Sequence, residues 1–209
     1  MKELVQQLRK DTGAGVMDCK KALQEANGDV VQALNLLKKK GLAKAEQKRT
    51  RSTTNGRVES YVHAGNRLGV LLELNCETDF VAKSEPFQLL AKNLAMQIAA
   101  CEQVRYIEWE QIPSSVIESV KSQVAEQLVE QLANKPVQLR SQIVEAKVKK
   151  QLQKQCLLDQ PFIKDEQLTV DEVIRTTIAQ VGENIRLKRF ARFVLGEETG
   201  EETGEETND

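Results

Sequence analysis

Leu68, Val70, Leu72, Leu74 and Cys76 alternate with other side chains along "LGVLLELNC". A period of two sustained over this stretch fits a strand with one buried face. "RVESYVH" (57–63) precedes it across the short loop "AGN", the spacing of a β-hairpin. Far downstream, "NIRLKRFARFVL" (184–195) alternates again. Ile185, Leu187, Arg189, Ala191, Phe193 and Leu195 fall on one side, and Arg186, Lys188, Phe190, Arg192 and Val194 on the other. That pattern predicts a strand with a basic, partly aromatic outer face. Most of the remaining apolar residues recur with helical spacing. So few strands need helices to cover their apolar face, so the expected fold class is α+β, a small antiparallel sheet packed with helices.

The helical segments fall into four groups. Residues 1–40 read as three short helices. Leu4, Val5 and Leu8 mark the first, which ends near "DTGAG", where Gly13 can adopt the left-handed conformation. Met17, Ala22 and Leu23 mark the second, stopped by "ANGD". Asp29 is placed to cap a third that carries Val30, Ala33, Leu34 and Leu37. Forty residues is small for an independent core, so this packing must be tight and can lean on a partner. A basic connector (41–56) follows, its first half able to extend a helix and "TRSTTNG" reading as a loop.

The second group starts at Ser84, a candidate N-cap with Pro86 in the first turn, and runs Phe87, Leu90, Leu94 and Ile98 down one face. The third is a helical hairpin over about 114–158. Val116, Val120, Val124, Leu128 and Leu132 mark one arm, and Ile143, Val144, Val148 and Leu152 the other, with "NKP" between them. Thr169 and Glu172 then form a capping box before a helix carrying Val173, Ile174 and Ile178, which Gly182 ends. The expected organisation is a three-helix module at 1–40, a linker at 41–56, an α+β core at 57–195 and an acidic, disordered tail at 196–209.

Composition narrows the function classes. Hydrophobic residues make up 40% and charged residues 29% of the 209, the balance of an ordinary globular chain. No run approaches the roughly 18 apolar residues of a membrane span, and the start "MKELVQQLRKD" has no signal-peptide core. A cytoplasmic protein without membrane contact is expected, or one of the plastid stroma if organellar. Seven of the 31 acidic residues lie in the tail "GEETGEETGEETND", so the body, with all 30 Lys and Arg, is mildly basic. Cys19, Cys76, Cys101 and Cys156 are far apart and His63 is the single histidine. That pattern supports neither a zinc site nor a disulfide framework. With no P-loop, no G-x-G-x-x-G and no paired nucleophile and base, no catalytic constellation is legible. The expectation is a protein that is not an enzyme and uses no metal or cofactor.

One local feature admits two accounts. Directly after the strand comes "ETDFVAK" (77–83), placing a bulky Phe80 at the tip of an acidic turn. Turns favour small polar residues there. Either Phe80 folds back into its own core, with Asp79 capping the next helix, or Asp79 and Phe80 form an apolar probe beside a carboxylate on a rigidly mounted loop.

The stretches "LRKDTGAGVMDCKKALQEANGDV", "LNCETDFVAK", "LLDQPFIKD" and "GENIRLKRFARF" resemble, in order and spacing, the signature segments of the elongation factor Ts family. The resemblance covers residues 1–196 and is to the compact form, lacking the second core subdomain of the long bacterial forms. It implies a guanine-nucleotide exchange factor for elongation factor Tu, acting in translation elongation on the GDP-bound and nucleotide-free GTPase. It also implies that the N-terminal module is ubiquitin-associated-like and docks through Arg9, Val16, Met17 and Lys20. Val16 stands where the family often has methionine, which implies a shallower contact. By the same resemblance Thr78, Asp79, Phe80 and Val81 bind the partner and dislodge its magnesium, with Phe80 entering between GTPase helices. No direct nucleic-acid contact is required, and a homodimer or a 2:2 complex stays open. The rival expectation is an adaptor whose N-terminal module binds peptides and whose basic final strand contacts RNA.

Overall fold

The computed structural model describes residues 2–129 and 136–197. Leu132, most of the "NKP" break and the tail beyond 197 lie outside the described residues.

Three helices open the chain: α1 (Lys2–Thr12), α2 (Val16–Glu25) and α3 (Val30–Lys48). Gly13 takes φ +66° after α1. The Asp29 carboxylate accepts from the amides of Val31 and Gln32 and so caps α3. Val5, Leu8, Cys19, Leu23, Ala33 and Leu37 close a small core of their own. Leu4, expected on the buried stripe, is instead 40% exposed. The third helix does not stop near residue 40 but runs unbroken to Lys48, which carries Ala45 into the main core.

Two strands follow, β1 (Asn55–Val62) and β2 (Leu68–Cys76), antiparallel and joined through Gly65 and Asn66, both at positive φ. The final strand β5 (Ile185–Val194) pairs with the other edge of β2, giving the antiparallel order β1-β2-β5. Between β2 and β5 come α4 (Asp79–Ala82), α5 (Glu85–Ala100), α6 (Ser114–Gln127), α7 (Val137–Gln153) and α8 (Val170–Val181). A small second hairpin, β3 (Pro161–Phe162) with β4 (Asp165–Thr169), lies in the "DQPFIKD" region, which gave no strand signal. Gln97, fully buried on α5, secures it by donating to Pro161 O at 3.0 Å and accepting from Ile163 N–H at 2.8 Å.

The inner sheet face (Val70, Leu72, Leu74, Cys76, Ile185, Leu187) packs on Phe87, Leu90, Leu94 and Ile98 of α5 and Ile174 and Ile178 of α8. The α6–α7 hairpin has a separate core of Val120, Val124, Leu128, Val144, Val148 and Leu152. This is the α+β arrangement expected from the two hydrophobic periods.

Strict alternation fails in β5. A bulge between Glu73 and Leu74 of the register sets Leu74 opposite Leu187 but Glu73 opposite Arg189, so Lys188 is the extra residue. Beyond it the faces swap. Phe190, opposite Leu72, packs against the core, while Arg189, Ala191 and Phe193 join Glu73, Leu71 and Gly69 on the outer face. The expected assignment of Phe190 to the outside and Arg189 to the inside is therefore reversed, and the outer face gains Phe193.

Candidate functional site

Phe80 is 85% exposed, the most exposed large apolar side chain among the described residues. It does not fold back into the core. The turn that holds it starts where β2 ends at buried Cys76, whose Sγ–H donates to Thr78 O at 3.1 Å. Thr78 then caps α4, its Oγ1 accepting from Val81 N–H at 3.4 Å. Within α4, Val81 and Ala82 turn into the main core while Asp79 and Phe80 face solvent. The motif thus divides its labour: Thr78 shapes the turn, Val81 anchors it, and Phe80 stands clear.

Asp79 pairs with Lys83 one turn on, at 2.7 Å. The Lys83 ammonium, donating to the carboxylate, holds the Asp79 pKa below its ordinary 3.8. Asp79 does not cap α5. Ser84 occupies that N-cap position, yet its hydroxyl donates to Val81 O at 2.7 Å rather than serving α5.

The segment after α8 supports the turn from below. Gly182 ends α8 at φ +83°, a conformation that favours glycine, and turns the chain toward β5. The Glu183 carboxylate accepts from Thr78 N–H at 3.0 Å and from Thr78 Oγ1–H at 2.7 Å. Reciprocally, Glu77 accepts from Asn184 N–H at 2.7 Å. Sequence reasoning missed Glu183 and Asn184. Their one signal was a polar pair between a helix-ending glycine and a strand.

The second set lies on the N-terminal module. Val16 and Met17 open α2 and are 49% and 65% exposed; Lys20 follows on the same helix and Arg9 lies near the end of α1, both exposed. Behind this face Asp18 pairs with Lys44 of α3 at 2.9 Å, and the Lys44 ammonium lowers the Asp18 pKa. Val31 (69% exposed) and Leu4 are further apolar side chains left uncovered on this module. The two sets are not one pocket: the first stands on β2 and α4, the second on α1 and α2. Among the described residues no group of His, Cys, Asp and Glu is arranged to hold a metal ion. No helix of the described residues is long and apolar enough to cross a membrane.

Fold and surface together define an α+β protein that presents apolar side chains on two separate, structurally braced surfaces. The family model described as "Elongation factor TS" matches residues 1–197. The elongation factor Ts of Rippkaea orientalis is 52% identical over 193 residues, covering 92% of this chain and 77% of that protein. That of a Synechococcus strain is 52% identical over 195 residues, covering 93% and 75%. The chloroplastic elongation factor Ts of Rhodomonas salina is 51% identical over 193 residues, covering 92% and 87%. The chain belongs to the elongation factor Ts family, the nucleotide exchange factors of elongation factor Tu.

Proposed function

We propose that this chain releases GDP from elongation factor Tu by docking through Arg9, Val16, Met17 and Lys20 and driving Phe80 into the GTPase beside its magnesium and phosphate site. The single observation that carries the reading is Phe80 itself, wholly outside its own core on a turn whose other apolar residues are buried. An aromatic so held makes sense when its pocket belongs to another molecule. Magnesium bridges the nucleotide phosphates to the protein that binds them, so disturbing its ligands weakens the diphosphate. A wedge favours release only by binding the nucleotide-poor conformation more tightly than the GDP-bound one. The coupling is reciprocal, so GTP entering the GTPase expels the factor. The factor contributes no nucleophile, metal or cofactor to this cycle and acts as a binding protein, in the cytoplasm or a plastid stroma.

Catalytic turnover tests this directly. With labelled GDP on elongation factor Tu, excess GTP and the factor at one-twentieth of the GTPase, the label should be lost completely. Loss of only a stoichiometric fraction, or none, would remove the exchange reading and favour the adaptor. RNA contact would show as steep weakening with salt, which an apolar protein interface lacks.

A third apolar surface, the outer sheet face, supports self-association. Val58, Val62, Leu71 and Phe193 are 61, 60, 47 and 68% exposed on the outer sheet face, where Glu73 and Arg189 pair at 2.8 Å. Val62 and Phe193 flank Gly69 in the register, so exposed apolar side chains share one sheet face, and a second copy of the chain is the occupant we propose for it.

A further inference from the structure

A four-residue helix cannot hold itself, because forming one turn fixes several residues for little hydrogen bonding. The aim of Phe80 therefore depends on what grips the base of α4. We propose that Glu183 is the positioning residue that aims Phe80, and that the end of α8 sets this aim relative to the docking face on α1 and α2; the functional half rests on the exchange reading above.

The grip is a crossed clasp between segments more than 100 positions apart in the chain. Glu183 takes both donors of Thr78, at 3.0 and 2.7 Å, while Glu77 takes the amide of Asn184 at 2.7 Å. Bonds to a carboxylate are roughly twice as strong as neutral ones. Asn184, 2% exposed, also donates from Nδ2 to the carbonyls of Arg49 (3.3 Å) and Arg51 (2.9 Å), tying in the chain just past α3. Lys48 Nζ donates to Gly182 O at 2.6 Å. Three residues before Glu183, Gln180 lies against Gly13, so closely that a Cβ there would sit 2.6 Å from Gln180 Cγ. Gly13 in turn bonds back to Arg9 O at 2.8 Å and leads into Val16. One end of α8 thus touches both surfaces. Wedging needs a stiff base, since binding strength spent on ordering a loose turn is not available to open the GTPase.

The test uses the full chain with Glu183→Ala, Glu183→Gln, Phe80→Ala and the Glu183→Ala/Phe80→Ala pair. In the free protein, Glu183→Ala should speed amide exchange at Val81 and Ala82 about tenfold or more, with β2 and α5 unchanged. In stimulated GDP release, it should lower the maximal rate about tenfold while half-saturation moves less than about twofold. Glu183→Gln should stay within about threefold of the parent, because an amide can accept from Thr78 N–H and donate to its hydroxyl. The double variant should match Phe80→Ala alone. Unchanged amide exchange would overturn the clasp. A double variant whose loss multiplies the two single losses would overturn the action through Phe80, as would a raised half-saturation with an unchanged maximal rate. If Glu183→Ala fails to fold, Glu183→Asp, which shortens the carboxylate's reach and leaves the Thr78 cap on Val81 N–H in place, should loosen the same amides. A parent chain that leaves GDP release unaffected removes the exchange reading, and amide exchange still decides the clasp.

Discussion

Phe80 has almost nothing to lose inside its own protein and much to lose in a complex. Its ring touches solvent, so Phe80→Ala should leave the melting temperature within about 1 °C of the parent. Burying one phenylalanine in a partner contributes about 1.5–3 kcal/mol, so the same change should cost roughly 10- to 100-fold in the complex. Calorimetry on the free chain and titration against nucleotide-free elongation factor Tu check the two halves. Beside it, Asp79 has a folded pKa below 3.8 because Lys83 donates to it. A depressed carboxylate pKa stabilises the fold above the ordinary value and loses that contribution as pH falls through the folded one. Asp79 should therefore titrate below 3.8 by NMR, and Lys83→Ala should return it toward 3.8. The cysteines follow burial too. Burial pushes the thiols of Cys76 and Cys156 up to about 11, whereas Cys101 is half-buried with a smaller rise. Thiolate is the reactive form, so alkylation at pH 8 should label Cys101 first.

Secondary elements divide into those legible from short-range pattern and those decided by pairing. The α8 capping box was readable because Thr169 and Glu172 serve each other: Thr169 N–H donates to Glu172 at 2.9 Å and Glu172 N–H to Thr169 Oγ1 at 3.2 Å. Thr169→Ala should cost about 1 kcal/mol in chemical denaturation. The β5 faces were not readable, because a bulge is a property of two strands: nothing in "RLKRF" alone says that Lys188 is the extra residue. The β3–β4 hairpin escaped for a similar reason, its support coming from Gln97 on another helix. The bulge bears on the proposed self-association, since it places Phe193 on one face with Val58, Val62 and Leu71. Val62→Lys with Phe193→Lys should leave the fold intact and shift the chain toward a monomer in sedimentation. An unchanged sedimentation coefficient would deny this face its role.

At the scale of the whole molecule, the N-terminal module is joined to the core by packing as well as by sequence. α3 extends past the module's own core to bring Ala45 among the main-core residues, Gly41 lies against Ala179, and Gly13 against Gln180. The three-helix core is small, and α8 of the same chain packs against it. Gly13 is doubly restricted, by φ +66° and by Gln180, so Gly13→Ala should destabilise by more than the roughly 1 kcal/mol of the backbone term. The candidate site was legible where residue type was odd for its place, as with Phe80 in an acidic turn. It was illegible where ordinary polar residues meet across the fold, as Thr78 and Glu183 do. The step on which the proposed exchange turns is the opening of the GTPase by an outward phenylalanine on a braced turn. It is tested most directly by stopped-flow release of fluorescent GDP from elongation factor Tu at saturating factor, parent against Phe80→Ala. Rapid release by the parent is expected, with a maximal rate lower by about tenfold or more for the variant, which stays folded. Equal maximal rates would contradict it and move the driving contact to the N-terminal module.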